Sequence, residues 1–313
     1  MARYSEHYTS NLSKIWNKSK DYVFENVDSI FSLENLLERG ADPDAADQFG
    51  CTGLHLACKY NRADIWGLFV KYGGDPSRLD KFENTTLHLA AANVSDFNFF
   101  STVLRKFTGF VNEANVYGST PLHEVCSNDT KSELFCEALL QYGANPNLKR
   151  KGDGTTPLHI AIEVGSYTLV YMMLDGRADP DLRNNYGVSP LFLAISKPNE
   201  TMCRYLLQFH ADVSLDSEPA GIIEREFTGE YEKGKKSLLQ MGLFSSCKEV
   251  SNAFYYWITH SESGKMYDTE ANKKLFLAMQ KPIYDIDEDK DKESDSYSYE
   301  EEDSETDSSS DSS

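Results

Sequence analysis

Four histidines recur along the chain at a nearly constant interval: His55, His88, His123 and His159 lie 33, 35 and 36 residues apart. Imidazole binds metals and moves protons near neutral pH. Six cysteines (Cys51, Cys58, Cys126, Cys136, Cys203 and Cys247) add a second ligand type. Neither set has a spacing that chemistry demands. The chain contains no Cys-x-x-Cys, His-Glu-x-x-His or Gly-x-Ser-x-Gly, and no glycine-rich phosphate loop. One histidine per interval spreads the rings along the molecule instead of gathering them at a point. The sequence therefore predicts no catalytic residue, no metal, no cofactor and no enzyme.

The elements that place these histidines repeat with them. Thr52-Gly53-Leu54-His55-Leu56-Ala57, Thr85-Thr86-Leu87-His88-Leu89-Ala90, Thr120-Pro121-Leu122-His123 and Thr156-Pro157-Leu158-His159-Ile160-Ala161 align, and Ser189-Pro190-Leu191-Phe192-Leu193-Ala194 follows with Phe in place of His. Thr-Pro suits a helix start, because Pro at the first helical position lacks only an amide that would be orphaned there anyway. A second signature follows each motif, as in Leu139-Leu140-Gln141-Tyr142-Gly143-Ala144-Asn145-Pro146-Asn147 and Leu36-Leu37-Glu38-Arg39-Gly40-Ala41-Asp42-Pro43-Asp44. Its glycine supplies the left-handed residue that ends a helix, and Asp/Asn-Pro turns the chain into the next unit. A single such unit leaves its apolar faces uncovered, so stacking must supply the core.

This pattern resembles the ankyrin repeat, with a period near 33 and a Thr-Pro-Leu-His-x-Ala core. The resemblance implies an all-α solenoid of helix-turn-helix units with β-hairpin fingers. It also implies that each histidine bonds within its own hairpin. Residues 1–46 read as N-terminal capping helices or a half repeat, and 47–216 as five repeats. Residues 217–280 read as a degenerate capping repeat, with helices near 236–246 and 247–259, an insertion in its hairpin and a final helix at 269–280. Residues 281–313 form an acidic, Ser-rich tail.

Charge follows that division. The chain carries 31 Lys+Arg against 50 Asp+Glu, a formal net charge of −19. Residues 285–313 hold 14 acids against Lys290 and Lys292, with nine serines. A segment so poor in apolar side chains cannot offset its ordering entropy and is expected to be disordered. The acidity disfavours direct nucleic-acid binding, and no apolar run is long enough to span a membrane. The polar N-terminus predicts no export signal. Reduced thiols and a cytoplasmic or nuclear location follow as expectations.

A repeat fold without catalytic groups points to protein partners, with the chain a monomer or part of a hetero-complex. The resemblance implies a concave surface built from fingers and inner helices. Its candidates are the finger-tip aromatics Phe49, Phe82, Tyr117 and Tyr186, together with Lys81, Lys59, Tyr60, Asn93 and Asn128. The finger Lys149-Arg150-Lys151 puts three cations side by side, which suits an acidic ligand, either a partner or the chain's own tail. Ser298, Ser304 and Ser308 each precede an acid by three residues, a pattern that acidophilic kinases favour, so phosphates there would deepen the charge. The layout of stack and acidic tail is similar to inhibitors of NF-κB, which suggests masking of a basic partner. An adaptor delivering a bound protein to a ubiquitin ligase is the alternative.

Overall fold

The computed structural model describes residues 2–18, 29–107, 109–128, 132–214, 242, 245, 247–265, 268–269 and 272–273. Helices α1 (Ala2–Lys18) and α2 (Ser29–Glu38) open the chain. Five helix pairs follow: α3 (Gly53–Lys59) with α4 (Ala63–Lys71), α5 (Thr86–Asn93) with α6 (Phe97–Leu104), and α7 (Pro121–Cys126) with α8 (Ser132–Gln141). Then come α9 (Pro157–Val164) with α10 (Tyr167–Asp175) and α11 (Pro190–Ser196) with α12 (Glu200–Gln208). Helix α13 (Lys248–His260) packs on α12. The expected helices at 236–246 and 269–280, the hairpin insertion and the tail with Ser298, Ser304 and Ser308 lie wholly or mostly outside the described residues.

Helices within a pair touch, and so do the first helices of successive pairs. A solenoid therefore buries one continuous core between layers. Leu54, Leu87, Leu158, Phe69, Phe100 and Leu139 are fully buried in it. The Phe100 and Phe135 rings stack at 4.1 Å between α6 and α8, an aromatic pair that contributes beyond its area.

Two ladders hold the layers in register. On the turn side a side-chain oxygen of one repeat accepts the backbone amide of the next: Asp44 from Asp75, Asn112 from Asn145, Asn147 from Asp179, and Asp181 from Asp212. On the finger side one backbone bond joins each neighbouring pair. Lys81 N–H donates to the Phe49 carbonyl, Val116 to Phe82, Lys151 to Tyr117 and Asn185 to Asp153, all at 2.8–3.0 Å.

The fingers are tight turns, each closed by backbone bonds. Among the described residues the only β-bridge is Ala46 to Thr52, so the expected β-hairpins do not extend into strands. A single rung per neighbour is too little for a sheet. At the tips Gly50, Gly118 and Gly187 take positive φ, and Glu83 (φ 60°) takes the same conformation without being glycine. Gly118 has a second reason to be glycine: a Cβ there would meet the Lys151 backbone nitrogen at 2.6 Å.

Candidate functional site

The histidines come first, because the structure assigns each ring nitrogen a task. In all four repeats Nδ1 accepts the amide of the threonine three residues earlier: Thr52, Thr85, Thr120 or Thr156. Nε2 lies 3.0–3.2 Å from a carbonyl of the following finger: Asn84, Ser119, Thr155 or Val188. An amide can only donate and a carbonyl can only accept, so the rings are neutral with the proton on Nε2. This corrects the expectation of bonds confined to one hairpin, since each ring also ties its repeat to the next. Burial pushes the His123 pKa down to about 4, aided by the charge of Arg150 and opposed by the bond to Thr155. Burial likewise lowers His55, His88 and His159. Four neutral, buried, doubly bonded imidazoles serve the architecture.

The cysteines are placed similarly. Cys58, Cys126, Cys136 and Cys203 are buried thiols, and Cys51 and Cys247 are half-buried. Burial raises the Cys58 and Cys126 thiols well above their ordinary value and takes Cys136 and Cys203 to about 12. Such thiols are poor nucleophiles. Among the described residues no His/Cys/Asp/Glu group could hold a metal ion, and no helix is long and apolar enough to cross a membrane.

The finger candidates form a row. Phe49, Phe82, Tyr117 and Tyr186 are 43, 42, 61 and 47% exposed, although each belongs to a finger anchored by the inter-finger rungs. Lys81 is exposed beside Phe82. On the first helices Lys59 is exposed, with its ammonium 5.9 Å from the half-buried Tyr60 ring. Asn93 is exposed and its amide donates back to Leu89. Asn128 is committed elsewhere: its side-chain amide donates to the Ala92 carbonyl at 2.8 Å, joining the third repeat to the second.

The cationic finger is split by the fold. Lys149 turns away and donates to the Arg183 carbonyl at 2.6 Å. Arg150 and Lys151 line a cleft of about 860 Å³ with Asn115, Val116, Tyr117, Ser119, Glu124, Gly152, Asp153 and Tyr186. A column of Asp/Asn residues explains why the cleft forms here. Asp47, Asp80, Asn115 and Asn184 each accept two amides of their own finger, two and four residues on. Arg150 occupies that column in the fourth finger and cannot accept, so Asp153 takes the Thr155 amide instead. Two residues on, where the other fingers carry Phe49, Phe82, Tyr117 and Tyr186, the fourth has Gly152. A ring is missing between Tyr117 and Tyr186, and the gap is the cleft.

Its electrostatics are mixed. The Arg150 Nε is buried without a hydrogen-bond partner. Glu124 accepts from Ser119 Oγ at 2.6 Å. Burial raises the Asp153 pKa, but hydrogen bonds from Thr155 and the charge of Arg150 outweigh it and leave the carboxyl below its ordinary value. Sequence reasoning picked out Arg150, Lys151, Tyr117 and Tyr186 but did not join them, and it passed over Gly152, Asp153 and Glu124 as site residues. The available signal was the 36-residue interval from His123 to His159, which makes the fourth finger one residue longer, with glycine at the aromatic position.

Known proteins share this architecture. The family description "Ankyrin repeats (3 copies)" matches residues 97–184 and 122–217, and "Ankyrin repeats (many copies)" matches 36–90. Human Rabankyrin-5 is 38% identical over 108 residues, which are 31% of this chain and 9% of that protein. The chicken nuclear factor NF-kappa-B p105 subunit is 25% identical over 259 residues, covering 82% of this chain and 22% of p105. The chain thus spans a small part of each of these relatives. The crystal structure of the ankyrin repeat domain of Bcl-3, described as a unique member of the IkappaB protein family, superposes with a TM-score of 0.57 at 22% identity, covering 75% of this chain and 96% of that one. Repeated motif, stacked helix pairs, ring-to-finger bonds and family matches agree: the chain belongs to the ankyrin repeat family.

Proposed function

We propose that this ankyrin protein is a non-enzymatic interaction module that binds a protein partner on its finger and inner-helix surface, with the acidic tail as a second electrostatic element. The observation that carries this reading is the row of exposed rings Phe49, Phe82, Tyr117 and Tyr186 on anchored fingers. Aromatic side chains with few torsions are efficient interface anchors when the backbone beneath them is already ordered. The fold alone does not assign a function. The rings are the argument, and the ankyrin family as a protein-interaction family agrees with them.

Masking of a basic partner is the narrower form. The match to p105 extends over most of this chain, whereas that to Rabankyrin-5 covers about a third. The net charge of −19 suits a basic partner. Delivery of a bound protein to a ubiquitin ligase through residues 217–280 is the alternative adaptor reading. The free cysteines agree with a cytoplasmic or nuclear setting.

The test compares proteins captured from cell extract by the parent chain, by Tyr117→Ala/Tyr186→Ala and by Tyr167→Ala/Tyr171→Ala on α10. Loss of a finger anchor pair is expected to weaken capture about tenfold or more, whereas the α10 pair leaves it unchanged. The reverse outcome would move the interface to the outer helices.

A further inference from the structure

The cleft beside the fourth finger has three properties not found together elsewhere among the described residues. It lacks the ring that the other fingers carry, because Gly152 stands there between Tyr117 and Tyr186. A guanidinium, Arg150, stands where the other fingers place an amide-accepting Asp or Asn, and its Nε is buried without a partner. Lys151 adds a second, exposed cation at the rim. Glu124 and Asp153 also line it, but each already accepts hydrogen bonds, from Ser119 and Thr155 respectively. The guanidinium therefore keeps donor capacity for a carboxylate. A complementary ligand would bring an aromatic ring for the gap and acids for the cations.

The chain itself carries such a segment. Asp295-Ser296-Tyr297-Ser298-Tyr299-Glu300-Glu301-Glu302-Asp303 sets two tyrosines directly before four consecutive acids. We propose that this stretch of the tail docks intramolecularly in the cleft. A ring of the Tyr297/Tyr299 pair fills the place left by Gly152, and the carboxylates that follow it lie on Arg150 and Lys151. Reach is sufficient. From Lys273, the last described residue, to Asp295 is 22 residues, which extend up to about 75 Å. The cleft lies a few helix layers away, at 8–10 Å per layer. A tether of this kind holds its ligand at about millimolar effective concentration, so weak contacts suffice. The finger rings proposed for a partner are then covered by the tail until that partner displaces it. The docking rests on the cleft and on the tail sequence rather than on any partner, so it is tested on the chain alone.

The experiment is amide hydrogen exchange on the full chain at about 20 mM salt, where exposed charges are little screened. The parent is compared with Tyr297→Ser/Tyr299→Ser and with Glu300→Gln/Glu301→Gln/Glu302→Gln/Asp303→Asn. Both variants leave every described residue intact. Exchange at Tyr117–Ser119 and Lys151–Thr155 is expected to accelerate about fivefold or more in both, with fingers 47–51 and 80–84 unchanged. Raising salt to about 0.5 M should do the same to the parent. In a background of Arg150→Gln/Lys151→Gln the tail substitutions should lose their effect. Unchanged exchange, acceleration shared by all fingers, or protection that rises with protein concentration (a tail from a second copy) would each overturn the proposal.

Discussion

The second and fourth fingers are built on one plan, but the fourth is one residue longer and changes both the acceptor and the tip ring. In the second, Asp80 accepts the amides of Phe82 and Asn84, and the Phe82 ring stands at the tip. In the fourth, Arg150 replaces the acceptor and Gly152 the ring, and the freed space becomes a cleft. Beneath both fingers the Thr and His that join the repeats are unchanged. Residues that couple neighbours repeat, because every junction needs the same bonds. Residues that face outward are free to vary, and here the variation makes a place for a ligand.

The largest expected effect tests the shared part. Gly118→Val forces a β-branched side chain into positive φ and against the Lys151 backbone. It should cost about 3 kcal/mol or more, lowering the melting temperature measured by circular dichroism by roughly 6–12 °C. Gly152 faces open space. Gly152→Phe, which restores the ring of the other fingers, should alter stability by no more than about 0.5 kcal/mol while closing the cleft. Equal losses at both glycines would erase the distinction between a tip glycine packed on the next finger and one that opens on the cleft.

A second, smaller effect concerns the junctions. The native pKa of His123, about 4, lies below the unfolded value near 6.5. Between those values the unfolded chain binds more protons, so stability rises with pH there. This histidine's contribution is complete above about pH 6.5 and falls by roughly 3 kcal/mol as pH drops to 4. His123→Phe, the residue the fifth repeat uses, should cost about 1–3 kcal/mol at pH 7 because the Thr155 carbonyl and Thr120 amide lose a partner. It should also flatten the acid limb of the stability curve. Urea unfolding at pH 7 and pH 5 measures both, and an unchanged slope in the variant would count against the assigned ring role.

The smallest pair returns to the column of acceptors. Asp80→Ala leaves two amides short and should cost about 1–2 kcal/mol. Arg150→Met removes a group with an unpaired Nε and should change stability by less than about 1 kcal/mol. If Arg150 matters as much as Asp80 in a melting experiment, it belongs to the framework and not to the cleft.

The repeat was legible because its period is fixed by stacking: Leu54, Leu87, Leu122, Leu158 and Leu191 must each fill the same place in successive layers. The bond from each histidine to the next finger was not legible, since it joins residues about 30 positions apart and a motif read within one repeat cannot show it. The cleft was half legible. Its cations and rings could be named, but their meeting depends on register between fingers, and Asn128 shows that a residue at the right position can already be bonded to the previous repeat.

The two ends of the stack have a consequence for assembly. At the start Leu12 and Trp16 of α1 are wholly buried, and the Trp16 indole donates to the Ala45 carbonyl at 3.0 Å. At the far end Val250, Ala253, Phe254, Trp257 and Ile258 of α13 turn inward over α12. Repeats that attach head to tail leave a sticky face at each terminus, and an uncovered one would recruit the complementary face of another copy into an open fibre. Helices α1 and α13 cover the apolar surface of the first and last described repeats, the positions at which such addition would start.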